Sequence, residues 1–383
     1  MPWQETDPVD QRSRFIDAYL AGGFSVTELC ERAQVSRKTG YKWIERYDAE
    51  GRTGLRDRSR APHRCPHRVD GPVADLILSA RRKHPDWGPG KLLDWLAPRH
   101  PDVEWPAVST AGDLLKRNGL IKRRRPRYRP DHPGVVPPVT AAPNDLWTAD
   151  FKGQFRTGDG RYCYPLTILD LHSRYLLTCH GLRSTQSQTA RPIFERAFRE
   201  YGLPAAIRAD NGVPFATTGL HGLSRLSVWW IRLGIMPQRI LPAHPEQNGA
   251  HERMHKTLKR GAIRPPRGSL AAQQRAFTAY RTLYNEERPH DALDGATPSA
   301  QYRASGRVYP AQLPAIDYPG HFVVKRITDA GTFRFKDRLF FLSNALDNHQ
   351  IGLEEVEDGL WSVHFCHLVL ARIDERTGTL TRG

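Results

Sequence analysis

Two aspartates carry the strongest chemical signal in the 383 residues. Asp150 follows Trp147-Thr148-Ala149, and Asp210 opens Asp210-Asn211-Gly212. Leu146 to Phe155 reads as a strand, Tyr162 to Leu171 as a second and Tyr175 to His180 as a third, joined by turn signals at Gly158-Asp159-Gly160 and His172-Ser173-Arg174. A helix over Gln186 to Tyr201 then leads to a short strand, Ala206 to Ala209. A helical crossover lets that strand lie parallel to an earlier one, and if its neighbour is the first strand, Asp150 and Asp210 come side by side. Adjacent carboxylates repel unless a cation lies between them, so the pair predicts a metal site or a raised pKa. A metal site asks for a third carboxylate, and Glu246 and Glu252 are the candidates. Glu246 falls in a loop or first turn, where the helix dipole explains a carboxylate. Glu252 falls inside the helix opened by Pro245-Glu246-Gln247-Asn248-Gly249, with Lys256 and Lys259 one and two turns later on the same face.

Other polar clusters are weaker. His251 and His255 have the i, i+4 spacing of two ligands and lie near His244, but no clear third ligand accompanies them. His63, Cys65 and His67 sit in a proline-rich stretch that matches no common zinc pattern. Asp170 ends an apolar strand and reads as a turn initiator. Arg288, in Arg288-Pro289-His290, is placed to contact DNA or to pair with a neighbouring acid.

The elements around this chemistry suggest a polyanionic partner. The formal charge is +16; the excess lies in the first 300 residues, while residues 301–383 are balanced. A helix at Val9 to Tyr19 is followed by a second one capped by Ser25 and a third capped by Ser36 over Arg37 to Tyr47, on which Tyr41, Ile44 and Tyr47 share a face. That is helix-turn-helix spacing, and it would present Arg37, Lys38, Thr39 and Lys42 to a major groove. Pro72 to Lys83, Gly90 to Leu96 and Ser109 to Asn118 read as a second helical unit. Arg56, Arg58 and Arg60 lie in the arm between the two units, and Arg123, Arg124 and Arg125 in the arm that follows; both read as phosphate-tracking segments, with solvated linkers as the alternative. The five cysteines are scattered without a C-x-x-C pair, and there is no membrane-length apolar run or signal-peptide pattern, so a reducing cytosolic compartment is expected.

Four strings occur in order: Trp147-Thr148-Ala149-Asp150-Phe151-Lys152-Gly153, Ala209-Asp210-Asn211-Gly212, His244-Pro245-Glu246-Gln247-Asn248-Gly249-Ala250-His251-Glu252-Arg253 and Tyr284-Asn285-Glu286-Glu287-Arg288-Pro289-His290. Together they resemble the integrase-core transposases of bacterial insertion sequences, whose catalytic domain is related to retroviral integrases. The resemblance covers residues 144–300. It implies a ribonuclease-H-like fold and an Asp-Asp-Glu triad, here Asp150, Asp210 and Glu252, holding divalent metal, Mg²⁺ or Mn²⁺, as two ions. The usual spacing in relatives would point to Glu246, but the motif puts the glutamate after Gln-x-Gly-x-x, which is Glu252; the extra residues then fall in the loop around Thr218 to Ser224. Asn248, Lys256 and Lys259 are candidate DNA contacts beside the site.

The expected architecture is multidomain. All-α tandem helix-turn-helix units occupy 1–60 and 61–125, the second winged-helix-like, and a basic proline-rich linker occupies 126–143. A central α/β ribonuclease-H-like mixed sheet with helices follows over 144–300, and a small all-β SH3-like barrel over 301–383. The expected activity is that of a transposase: binding of the terminal inverted repeats of a mobile element, then metal-dependent cleavage and strand transfer into target DNA, by a dimer or higher oligomer in the bacterial cytoplasm at the nucleoid. The rival readings are a sequence-specific DNA-binding regulator with an inactive integrase core, and a ribonuclease-H-type nuclease.

Overall fold

The computed structural model describes residues 7–59, 69–121, 140–210, 212–217, 222–240 and 248–382. Arg60, His63, Cys65, His67, Arg123, Arg124, Arg125, Asn211, Thr218, His244 and Glu246 lie outside the described residues. The chain divides into two compact units, residues 1–68 and 69–383.

The first unit is a helical bundle. Helix α1 (Pro8–Leu20) starts at Asp7, whose carboxylate accepts the Val9 N–H. Helix α2 (Val26–Arg32) opens with a reciprocal capping box between Ser25 and Glu28. Gln34 takes a positive φ in the turn, and Ser36 caps α3 (Arg37–Glu50) through the Thr39 N–H. Phe15, Ile16, Leu29, Cys30, Trp43, Ile44 and Leu55 form the core. Of the residues read as sharing a face of α3, Ile44 is buried, Tyr47 half-buried and Tyr41 58% exposed, and Gly40, Trp43 and Ile44 are the buried positions. The buried stripe is centred on Gly40, Trp43 and Ile44, which are three and four positions apart, and Tyr41, one residue on from Gly40, is turned toward its margin.

The second unit begins with α4 (Gly71–Lys83), α5 (Pro89–Leu96) and α6 (Val108–Arg117), packed on Ile77, Trp87, Leu92, Leu96, Ala111 and Leu115. Strands β1 (Leu146–Phe151), β2 (Phe155–Arg156), β3 (Tyr162–Asp170) and β4 (Leu176–Leu182) follow, then α7 (Ser187–Tyr201), β5 (Ala206–Ala209), α8 (Arg225–Arg232) and β6 (Met236–Arg239). The sheet order is β2-β3-β1-β5-β6, with β4 on β3. The β1–β3 and β3–β4 pairs are antiparallel, whereas β1–β5 and β5–β6 are parallel. The first strand is shorter than expected, ending at Phe151, and Phe155 belongs to a separate strand.

Strand alternation divides the residues between two faces. Trp147 and Ala149 of β1, with Leu166 and Ile168 of β3, pack under Phe194, Phe198, Trp229 and Trp230 of α7 and α8. Each such large side chain contributes about 1.5–3 kcal/mol on burial. On the other face lie helices α9 (Gly249–Leu258) and α10 (Leu270–Thr282). Helix α8 was not foreseen from the sequence. Leu226, Trp229 and Trp230 join the main core, while Val228 and Ile231 join a second core with the C-terminal strands, so Leu226 to Ile231 are all buried and only the terminal Arg225 and Arg232 reach solvent.

Beyond α11 (Pro298–Gln301) the chain is antiparallel β-structure. Strands β7 (Val323–Arg326), β10 (Gln350–Glu357), β11 (Leu360–Phe365), β12 (Leu368–Asp374) and β13 (Thr379–Arg382) form one sheet in the order β13-β12-β11-β10-β7. Strands β8 (Thr332–Phe335) and β9 (Arg338–Phe341) form a hairpin. Phe333, Phe335, Leu353, Val363 and Phe365 fill the core of this region.

Candidate active site

The site grows from the strand pairing. Ala149 of β1 lies opposite Ala209 of β5 in parallel register, so Asp150, still within β1 and paired with Thr167, and Asp210, the first residue past β5, come to the same end of the two strands. The Gly212 N–H donates to Asp210 Oδ1 at 3.3 Å, and a Cβ at Gly212 would lie 3.2 Å from Asp210 Oδ2, which leaves little room for a side chain there. Burial first, and the charge of Asp210 second, push the Asp150 carboxyl up to about 7. Burial also raises that of Asp210.

Helix α9 covers the same end. Its buried positions His251, Met254, His255 and Leu258 follow helical spacing; Met254 and Leu258 join the apolar cluster on this face, while His251 and His255 meet Thr148 and Thr167. Thr167 Oγ1 lies 2.6 Å from His251 Nε2 and 2.7 Å from His255 Nε2, and it donates to the Asp150 carbonyl oxygen at 3.0 Å. A hydroxyl has one proton and two acceptor positions. Once its proton is committed to Asp150, both imidazoles must donate from Nε2. His251 Nδ1 is then an acceptor and meets Thr148 Oγ1 at 2.9 Å. His255 Nδ1 is left as a bare lone pair 3.7 Å from Asp150 Oδ2. Burial keeps both rings neutral, pushing His251 down to about 3 and His255 to about 2.

Among the described residues, Asp150, His251 and His255 offer ligand atoms within 4.8 Å of one another. Three of the four ring nitrogens are already bound to threonine hydroxyls, however, so the pair serves mainly as polar support beneath Asp150, with His255 Nδ1 alone unengaged. Neither Asp210 nor Glu252 joins this group. Glu252 is exposed in the first turn of α9, which starts at Gly249 with Asn248 as its N-cap. The helix-dipole account of a carboxylate, applied above to Glu246, therefore applies to Glu252 as well. Oxygen donors from two raised carboxylates suit a hard divalent cation, since binding one relieves both burial and mutual repulsion.

The remaining sequence candidates are distributed as follows. Asn248 Nδ2 reaches Asp150 Oδ2 at 3.3 Å. Lys256 and Lys259 are exposed on α9 and at its C-cap. Arg37, Lys38 and Lys42 are exposed on α3, whereas Thr39 is half-buried, its hydroxyl 2.9 Å from that of Ser36. Arg56 is exposed, and Arg58 pairs with Glu50. Asp170 is fully buried and accepts the Asn144 N–H, the Ser173 N–H and the Ser173 hydroxyl, in keeping with a turn-organising role. Sequence reasoning missed Thr148 and Thr167; their only signal was a polar residue at alternate positions of apolar strands.

Residues 140–245 and 233–298 match integrase core domain families, residues 11–63 a helix-turn-helix domain and residues 39–115 a homeodomain-like domain. The chain is 28% identical over 200 residues to the uncharacterized 31.7 kDa protein of insertion element IS407 from Burkholderia multivorans, spanning 50% of this chain and 69% of that protein. It is 28% identical over 258 residues to the uncharacterized 39.2 kDa protein of insertion element IS476 from Xanthomonas euvesicatoria, spanning 64% and 70%. A candidate transposase of insertion element IS2E from Escherichia coli K12 is 27% identical over 204 residues, 50% of this chain and 88% of that protein. With helix-turn-helix domain matches ahead of integrase core domain matches and insertion-element proteins among its relatives, the chain is similar to the integrase-core transposases of insertion elements.

Proposed function

We propose that the protein binds the terminal inverted repeats of its mobile element and catalyses divalent-metal-dependent cleavage and transfer of DNA strands, with Asp150, Asp210 and Glu252 as metal-holding and catalytic residues. The observation that carries this reading is the parallel β1–β5 register, which brings two carboxylates of raised pKa to the same end of the two strands. Two bound Mg²⁺ or Mn²⁺ ions would activate the attacking oxygen and stabilise the leaving one. In the reaction a water or a DNA 3′-hydroxyl forms a new bond to phosphorus as the bond to the leaving 3′-oxygen breaks, so hydrolysis and strand transfer differ only in the nucleophile. Asn248 holds Asp150 in orientation, and Lys256 and Lys259 neutralise phosphate charge along the exposed side of α9.

Arg37, Lys38, Thr39 and Lys42 read bases, and Arg56, Arg58, Arg60, Arg123, Arg124 and Arg125 track phosphates. We read residues 1–60 and 61–125 as DNA-binding domains, 126–143 as a linker, 144–300 as the catalytic core and 301–383 as a small SH3-like barrel used in assembly. Holding two DNA ends requires a dimer or a higher oligomer. Among the described residues no helix is long and apolar enough to cross a membrane, and the substrate places the work at cytoplasmic DNA.

The test is a strand-transfer assay on labelled terminal-repeat DNA with Mg²⁺ or Mn²⁺, comparing wild type with Glu252→Gln and Glu246→Gln. Joined product lost only in Glu252→Gln supports the reading. Repeat binding without any cleavage by the wild type identifies a regulator instead, and cutting confined to RNA–DNA hybrids a ribonuclease-H-type nuclease.

A further inference from the structure

A cavity of about 550 Å³ lies beside α9, on the side away from Asp150. Gly249, Ala250, Arg253, Met254 and Thr257 of α9 line it; these positions form one helical stripe, distinct from the His251–His255 stripe that faces the sheet. Arg174 from the β3–β4 turn and Arg288 from the loop after α10 complete its basic wall, and Lys91 of α5 closes one end. The Lys91 ammonium is already committed, bonded to the Pro289 carbonyl at 2.9 Å and to Asp291 at 2.7 Å.

The three arginines are not committed. Among the described residues the guanidinium groups of Arg174, Arg253 and Arg288 have no hydrogen bond and no ion pair. All three lie close enough to the buried Tyr284 hydroxyl to act on it electrostatically. The carboxylate nearest in effect to Arg174 is Asp170, whose oxygens are taken by Asn144 and Ser173. Burial, together with the adjacent Arg253, makes the charged form of Arg174 harder to hold. Asp291, bonded to Lys91 and within electrostatic reach of Arg253, is the one carboxylate among the described lining residues, so three converging guanidiniums outnumber it and form a fork-like array suited to phosphate oxygens. The N-terminus of α9 adds its dipole at Gly249 and Ala250. The rest of the lining is mixed: Leu171, Met254 and Leu293 are apolar, while Thr140, His172, His290 and Asp291 are polar.

We propose that this cavity is a second nucleic-acid site, which takes one unpaired nucleotide of a DNA strand by its phosphate, through Arg174, Arg253 and Arg288. Its volume falls in the range of single-ligand pockets, ~300–1,000 Å³, and a duplex about two groove-widths across does not enter it. A strand that enters must therefore leave its complement. The site lies next to Glu252 in sequence but on another face of α9, so it holds DNA near the reaction without touching the reacting phosphate. This rests on the DNA-transposase reading above.

The experiment measures binding of the full-length protein to terminal-repeat DNA in Ca²⁺, with a blunt end or with a short unpaired end carrying 2-aminopurine. Wild type, Arg174→Gln, Arg288→Gln, the double variant and Arg174→Lys are compared across a salt series, and thermal melting is recorded for each. The expected result is tighter binding of the unpaired end than of the blunt one, with a 2-aminopurine fluorescence change. The glutamine variants should lose that preference by about tenfold or more, with a salt slope smaller by about 0.7 per lost phosphate contact and blunt-end affinity retained; Arg174→Lys should keep part of the preference. If wild type binds both ends equally, or the variants weaken both ends equally at unchanged melting temperature, the pocket proposal is overturned while the DNA reading stands. Failure of wild type to bind repeat DNA at all overturns both. Binding of inorganic phosphate or a mononucleotide in the absence of DNA, with no effect of the unpaired end, identifies a free-phosphate site and also overturns it.

Discussion

His255 Nδ1 faces Asp150 Oδ2 at 3.7 Å while its other ring nitrogen is bound to Thr167. A neutral imidazole thus backs a carboxyl group that is pushed up to about 7, beside Asp210 and with Lys152 as the nearby cation. Unfolded aspartate ionises near pH ~4, so between about 4 and about 7 the folded state holds a proton that the unfolded state has lost. Stability carried by Asp150 therefore falls as pH rises through that window. Urea denaturation without divalent ions should show Asp150→Asn gaining stability relative to wild type from about pH 4 to about pH 7. A difference that stays flat with pH would sink this. The histidines work in the opposite direction, since their depressed values cost stability as pH falls below ~6.5; they are common to both proteins and cancel in the comparison.

Divalent metal should reverse the Asp150 trend. Binding requires the ionised carboxylate, so Mg²⁺ or Mn²⁺ should raise the melting temperature more at pH 8 than at pH 6. Asp150→Asn and Asp210→Asn should each abolish the metal-dependent shift. A shift that survives in both variants would show that the metal binds elsewhere.

Thr167→Val keeps the shape of the side chain and removes the acceptor shared by His251 and His255. Two buried N–H groups then lose their partner, at a cost of about 1–3 kcal/mol each. Thr167→Ser should recover most of the loss in chemical denaturation. Equal stability of the valine and serine variants would show that the hydroxyl contributes nothing.

In the first unit, a Cβ at Gly40 would clash with Cys30 Sγ and lie 3.1 Å from the Phe15 ring. Gly40→Ala should destabilise this bundle by about 1–3 kcal/mol through overpacking. Hydrogen exchange should speed up in α1 to α3 and stay unchanged in the integrase core, and repeat-DNA affinity should drop. Unchanged exchange in α1 to α3 would mean that the bundle absorbs the methyl group without strain.

Much of the frame was legible in the chain itself. Ser25 and Ser36 mark helix starts because their side chains complete the first-turn N–H groups, an interaction confined to a few residues. The strands around Asp150 and Asp210 were readable for the same reason, as apolar runs ended by turn residues. Helix α8 was not, because it is only eight residues long and its buried Leu226 to Ile231 stretch is covered on both sides, so a short apolar run does not distinguish helix from strand. Tyr41 misled because a tyrosine at near-helical spacing satisfies the pattern whether it points inward or outward.

Local rules thus determined which segments became helices and strands, and which residues had the chemistry for metal and phosphate. Tertiary structure decided which of them meet. The Thr148–His251–Thr167–His255 chain joins β1, β3 and α9, and the three arginines come from a turn, a helix and a loop; each group is set by packing between segments far apart in sequence, where no short-range spacing records the contact.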